Sequence, residues 1–398
     1  VSLPLAHTPR TTMRLQWCWY VILCLAAWGG AVGKGQEQRV YKVAAVPRTG
    51  GIEALHDQWS ETFEDLLTRE VARSIPGASF ELVAVGIDEI STAIETGQAD
   101  LLFLSPNLVV CTGIEFGFTP LATEKKRYDG SILSQYGTII FTKQERNDIR
   151  SIDDIKGHRI EATSVQLCQA QWVELKARGI SLFDSPSQVL FSYDQERIVY
   201  DVLSNVTDLG MVRADFLNLL ETETQGAVRA DMFHVLNPKD EPNYPFPTTS
   251  LLFPEYSLGA LNHVPFEVQT AVARALWAVN ESSSEAQKGG YAGFQVPPLS
   301  FDPMRKVFDS LSLIGQDEET GVWACNAPED TWESIQCPPG KIRLRKQDVL
   351  RGCDMKNILC PDGYLCLCSP CITASSVEVI AVPPAVIANE SDLLGFAG

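Results

Sequence analysis

Short apolar runs alternate with helix-length amphipathic segments in the first part of this chain, and that alternation restricts the fold more than any other feature. Residues 41–46 (YKVAAV) form a compact apolar run ended by Pro47, which reads as a buried strand. A helix is predicted over residues 53–73, with Leu55, Trp59, Phe63, Leu66, Leu67 and Val71 on one face. Next come a strand over residues 80–85, a helix over 88–96 closed by Gly97, and a strand over 100–104 that runs into Ser105-Pro106-Asn107. Strands joined through helices by short connections imply a parallel sheet covered on both faces. Such sheets bind ligands beyond the carboxyl ends of their strands. Arg48, Ser105 and Asn107 each follow a strand end of this kind, although Ser-Pro-Asn is also an ordinary helix start.

The stretch over residues 150–180 carries the next constraint. Ser151 with Asp153 and Asp154 caps a short helix, Lys156-Gly157 stops it, and a strand begins at Arg159 and runs to Ala162. A turn at Thr163 and Ser164 leads into a helix over residues 166–178 that Gly179 closes. A strand passing through a hydroxyl-bearing turn into a helix N-terminus aims backbone N–H groups and a positive dipole end at one spot, which suits an anion. This pattern resembles the opening of the second lobe in type II periplasmic solute-binding proteins. Residues 207–221 (TDLGMVRADFLNLLE) and 246–276 (FPTTSLLFPEYSLGALNHVPFEVQTAVARAL) are similar to the phosphate/phosphonate-binding branch, and in particular to the extracytoplasmic sensor domains of histidine kinases such as tetrathionate sensors.

The resemblance implies an α/β, two-lobed fold over residues 39–314 with two interlobe crossover strands. Lobe 1 would comprise residues 39–142 and 232–314, and lobe 2 residues 143–231. The outward crossing is expected at 136–142 and the return at 232–236. In lobe 2, strands are predicted at 159–162, 189–192 and 208–212, with helices at 166–178, 195–203 and 214–221. The implied function is capture of a small anionic ligand in the cleft, with hinge closure as the signal; the alternatives are a transporter component, or a secreted interaction protein with a vestigial cleft. The implied ligand set is Ser105, Asn107, Tyr136, Thr163, Ser164, Gln166, Arg213, Thr248 and Thr249, with Arg48 at the margin. Arg213 ends a strand where its fork reaches an oxyanion or packs the lobes together. Tyr136 reads equally as a buried hinge ring, and Thr248-Thr249 as simple strand formers. Where the phosphonate binders have a Ser-Thr-Ser-Gly cradle, this chain has Ala162-Thr163-Ser164-Val165-Gln166, and without the glycine a close backbone approach to phosphonate is harder. That departure favours the sensor relatives.

A net charge of -18 argues against nucleic acid as a partner. No metal-ligand spacing, nucleophile elbow, phosphate loop or dinucleotide fingerprint is present, so neither a catalytic set, a cofactor nor a metal is expected. Residues 13–35 have the charged start, apolar run and small-residue exit of a signal peptide, preceded by a non-native leader over residues 1–12, and imply an extracellular location. Asn205, Asn280 and Asn389 are sequons. After a polar linker at residues 315–322, Cys325, Cys337, Cys353, Cys360, Cys366, Cys368 and Cys371 mark residues 323–371 as a disulfide-rich module, followed by a flexible tail over 372–398. Their odd number leaves one cysteine for a second chain, a thiol or a bond to the large domain. Cys111 and Cys168 read as buried small hydrophobes, as cleft thiols open to oxidation, or as a clamp between the lobes. A membrane signalling partner, or an output domain beyond residue 398, would complete a sensor.

Overall fold

The computed structural model describes residues 38–47, 51–128, 130–163, 168–192, 194–316, 323–325, 341–343 and 371–373. The expected leader, signal peptide and most of the cysteine-rich module lie outside these residues. The chain opens with β1 (Arg39–Ala45) and α1 (Gly51–Ser60), which continues through a π-helical turn at Glu61–Leu66 into α2 (Leu67–Val71). Then come β2 (Ala78–Ala84), α3 (Ile90–Glu95), β3 (Leu101–Leu104), α4 (Pro106–Phe116), β4 (Thr119–Tyr128) and β5 (Ser131–Leu133). β1 pairs in parallel with β2 and β3, as strand-helix alternation demands. The apolar face of α1 and α2 covers this sheet: Trp59 stacks on Phe63 and Tyr291 at centroid distances of 5.0 and 4.9 Å and lies tilted against Phe103.

A narrow hinge follows, with β6 (Gln135–Tyr136) leading into β7 (Thr138–Lys143). The second sheet is built from β7, β8 (Arg159–Ala162), β9 (Gln188–Phe191), β10 (Leu209–Arg213) and β11 (Phe233–Val235) in the order β11-β7-β10-β8-β9. Its helices are α5 (Gln169–Ala177), α6 (Gln195–Leu203) and α7 (Phe216–Glu223). The chain then returns through β12 (Phe253–Pro254), which pairs antiparallel with β6, and enters β13 (Ser257–Ala260), α8 (Phe266–Trp277), α9 (Ser284–Gly289) and β14 (Gly293–Gln295). β13 and β14 complete the first sheet, whose main path is β14-β4-β13-β3-β1-β2. The result is two lobes joined by paired strands. α10 (Asp302–Leu311), β15 (Ile314–Gln316) and β16 (Trp323–Cys325) finish the continuous part of the body.

The return does not fall at residues 232–236 as expected. β11 pairs with β7 inside the second sheet, so this run is the edge strand of lobe 2 and the crossing comes later, at β12. An isolated apolar run shows that a strand exists but leaves its partner open, because register is settled by packing and by turns elsewhere.

Gly259 marks where the first lobe is tightest. A Cβ there would lie 2.3 Å from the Phe118 ring and 2.5 Å from the Thr119 carbonyl oxygen, beside a register shift in β13. Backbone cannot yield as a side chain does, so Gly259→Ala is expected to destabilise the chain by about 1–3 kcal/mol. Urea unfolding of the variant measures this, and an unchanged midpoint would show that the bulge accommodates the methyl.

Candidate functional site

On the second sheet, Ile140, Ile160, Ala162 and Met211 face the cluster under α5. Alternation along a strand therefore puts Thr138 and Arg213 on this same face, at the end of the sheet where β8 and β10 run out. Thr138 and Arg213 are register partners across β7 and β10. Thr163 follows the end of β8 and is buried, and Gln169 and Gln171 are buried in the first turn of α5. Gln171 donates from Nε2 to the carbonyl of Val212 at 3.3 Å, which ties its amide to the end of β10. Four buried side-chain oxygens have no hydrogen-bond partner among the described residues, and three of them belong to this group: Thr138 Oγ1, Gln169 Oε1 and Gln171 Oε1. A buried acceptor left unmade costs about 1–3 kcal/mol, so such a cluster calls for a donor.

Beneath it lies an ionic cluster. Arg213 donates from Nε to Asp215 at 3.0 Å, and from its fork to Glu255 at 2.5 and 3.3 Å and to the Tyr128 hydroxyl at 2.8 Å. Its guanidinium stands 4.3 Å over the Tyr136 ring. Lys126 reaches the fully buried Glu255 at 3.2 Å. Burial opposes the Arg213 charge, but Asp215 and Glu255 outweigh it and hold its pKa well above the ordinary value. Burial likewise pushes the phenols of Tyr128 and Tyr136 up, against the pull of Arg213. Two cations, Lys126 and Arg213, thus face two carboxylates, Asp215 and Glu255. Arg213 thus joins β10 of lobe 2 to the hinge side of lobe 1, and its fork is engaged internally rather than offered as an unpaired cation to an oxyanion.

The other residues expected at the cleft fall as follows. Ser105, at the start of α4, donates from its hydroxyl to Asn107 Oδ1 at 2.7 Å, and both are buried on the lobe 1 side. Thr248 and Thr249 are fully buried in the hinge: the Thr248 hydroxyl donates to the Thr138 carbonyl at 3.1 Å and that of Thr249 to the Leu236 carbonyl at 3.0 Å. Their hydroxyls staple the return segment to β7, that of Thr249 also accepting from the Ile140 N–H at 3.1 Å. Tyr136 is the ring under Arg213. Arg48, Ser164 and Gln166 lie outside the described residues.

The two body cysteines do not form a pair of cleft thiols. Cys111, on α4, is bonded to Cys325, on β16, with Cα atoms 5.4 Å apart. Cys168 is buried against the second-lobe core, and burial pushes its thiol up to about 12, the reverse of an activated cysteine. One of the seven late cysteines therefore pairs with the large domain. Cys337, Cys353, Cys360, Cys366 and Cys368 lie outside the described residues, and for Cys371 only the backbone is described. Asn205 and Asn280 are exposed, while Asn389 is outside. Among the described residues no group of metal-ligating side chains assembles, and no helix is long and apolar enough to cross a membrane.

Sequence reasoning missed Thr138, Gln169, Gln171, Asp215 and Glu255. Gln169 and Gln171 carried a usable signal, since both belong to the first turn of the helix singled out for binding. Glu255 carried none, because its partner lies 42 residues away.

The family model of the periplasmic substrate-binding protein of phosphonate ABC transporters matches residues 51–297. Among curated proteins none matches the chain. Similar solved structures include XAC2383 from Xanthomonas citri bound to chloride ion, at 13% identity and a TM-score of 0.53, covering 69% of this chain and 96% of that one. The same protein bound to ATP gives 13% identity and a TM-score of 0.51 over 69% and 96% of the two chains. A binding protein component of an ABC phosphonate transporter from Pseudomonas aeruginosa gives 12% identity and a TM-score of 0.48 over 68% and 86%. At these identities the likeness is one of fold. The family match covers more than half of the chain and includes the second sheet, the hinge and the first sheet apart from β1, and on that ground this protein belongs to the periplasmic phosphonate-binding family of substrate-binding proteins, which bind their ligands without turning them over.

Proposed function

We propose that this protein is an extracytoplasmic solute-binding domain that takes a small phosphonate- or phosphate-like ligand into the cleft between its lobes. The observation that carries this reading is the buried polar set Thr138 Oγ1, Gln169 Oε1 and Gln171 Oε1, without hydrogen-bond partners among the described residues, at the end of the sheet where β8 and β10 run out and sheets of this kind hold ligands. The anionic head would sit toward Thr163 and the start of α5, where backbone donors and the helix dipole favour negative charge. With Arg213 and Lys126 each paired to carboxylates, that charge is met by dipoles. The two glutamine oxygens accept only, so the ligand also brings donors of its own, a hydroxyl or an amine. Two lobes on paired strands then close by hinge motion, in the manner of solute-binding domains generally.

Isothermal titration of methylphosphonate, 2-hydroxyethylphosphonate, 2-aminoethylphosphonate, phosphate and sulfate tests the reading. One-to-one binding is expected, tighter for the donor-bearing phosphonates. In Gln171→Leu it is expected to weaken at least roughly tenfold, the equivalent of one lost hydrogen bond. If no member of the panel binds, or if Gln171→Leu binds as well as the parent chain, the cleft is not the ligand site.

Delivery to a transporter and signalling by closure both follow from the same binding event. The family description supports the first. The likeness of residues 207–221 and 246–276 to kinase sensor domains supports the second, with a membrane signalling partner as the recipient.

A further inference from the structure

An apolar cluster packs on the hinge strands, through Phe253 and Tyr136, and draws on both lobes. α4 of lobe 1 supplies Val110, α5 of lobe 2 supplies Ala170, and α10 supplies Met304, Val307, Phe308 and Leu311 between them. Trp172 and Val173 of α5 pack on the same cluster from the second lobe. Lys176 of α5 donates to the Ser310 carbonyl at 2.5 Å, so the α5 side of the contact is also pinned by a hydrogen bond. α10 is therefore a wedge between the lobes: its N-terminal end is tied to lobe 1, where the Leu299 N–H donates to Thr123 Oγ1 at 3.1 Å, while packing alone would let its C-terminal end travel with either lobe.

A covalent link removes that freedom. β15 follows α10 and pairs antiparallel with β16, with Ile314 opposite Cys325. Cys325 is bonded to Cys111 on α4, and its backbone N–H donates to the Glu115 carboxylate on the same helix at 2.9 Å. The chain leaving α10 is thus fastened to lobe 1 within a few residues of its last turn. On the lobe 2 side the described residues provide the α5 packing and the Lys176 hydrogen bond.

We infer that α10 is mechanically part of lobe 1, held there by the Cys111–Cys325 bond, and that the cleft opens and shuts along the seam between α10 and α5. Opening then exposes the α5-facing surface of α10, while Cys325 stays bonded to α4 of lobe 1 in either state. The staple fixes the C-terminal end of α10 to the lobe that already holds its N-terminal end. This inference concerns the ligand-free chain and stands apart from which ligand the cleft takes.

The test uses the full chain without ligand. Val173 is half-buried at the seam, so Val173→Asp places a charge there without emptying a core. Amide hydrogen exchange and small-angle scattering of this variant are expected to show a larger radius of gyration, with faster exchange across residues 169–177 and undiminished protection over 302–311. Loss of protection over 302–311 together with 169–177 would mean that α10 follows lobe 2, and would overturn the inference. Adding Cys111→Ala and Cys325→Ala to the same variant is expected to speed exchange over 302–311 at least about tenfold while β1 and β3 stay protected. Unchanged protection of α10 without the bond would show that the bond does not hold it, which also overturns the inference. The Val173→Asp result stands by itself if the triple variant does not fold.

Discussion

Arg213→Met is expected to lower the stability of this chain by about 3–5 kcal/mol, the largest effect of any single substitution considered for it. The change takes the Arg213 fork away from Glu255, which has no exposed side-chain surface, and leaves the nearly buried Asp215 without its ion-pair partner. An uncompensated buried carboxylate costs more than the original pair contributed, because desolvation of the survivor is no longer offset. Urea unfolding measures the loss. Combining Arg213→Met with Glu255→Gln should recover part of it, since the stranded charge is then removed. A single variant within about 0.5 kcal/mol of the parent would show that water or a rearranged Lys126 satisfies the cluster, and that it does not join the lobes as described.

Glu161→Gln is expected to act in the opposite direction and to depend on pH. Glu161 is buried on β8, on the face covered by α6, and its Oε2 has no partner among the described residues. Burial, reinforced by the nearby Asp201 carboxylate, pushes its carboxyl up from 4.5 to about 7 against the opposing pull of Ser192 and Arg197. Between those two values the folded chain holds a proton that the unfolded chain has lost. Stability therefore falls as pH rises from about 4.5 to about 7, and the full penalty is present above that window. At roughly 1.4 kcal/mol per unit, the glutamine variant should be more stable than the parent by on the order of 3–4 kcal/mol at pH 8 and similar to it near pH 4. Unfolding midpoints measured across pH 4 to 8 check the slope. Parallel curves for the two chains would show that Glu161 is as ionised in the folded state as in the unfolded one.

The elements were legible where local signals agree. The strand over residues 159–162 and the helix over 195–203 match β8 and α6, because a cap, an apolar period and a stop each point to the same boundaries; for α6, Asp194 accepts from the N–H groups of Glu196 and Arg197. The parallel core of lobe 1 was legible for a similar reason, since strand–helix–strand spacing leaves few topologies. Features that depend on partners distant in sequence were not. The edge position of β11, the pairing of Arg213 with Glu255 and the bond between Cys111 and Cys325, 214 residues apart, are all settled in three dimensions. The binding helix was found from its Thr-Ser turn, but its buried oxygens were not, because nothing in the sequence distinguishes a glutamine aimed into a cleft from one on a solvated face. Thr248 and Thr249 show the converse: hydroxyls at a crossing suggested ligand contacts, and the hinge backbone took them instead.

Amide hydrogen exchange on the full chain, with and without the tightest-binding phosphonate of the titration at saturation, tests the two-lobed binding account most directly. The account predicts slowed exchange in two separate places at once: residues 105–109 at the start of α4 in lobe 1, and residues 168–173 at the start of α5 in lobe 2. Slowed exchange confined to one lobe, or found only outside both segments, would contradict it.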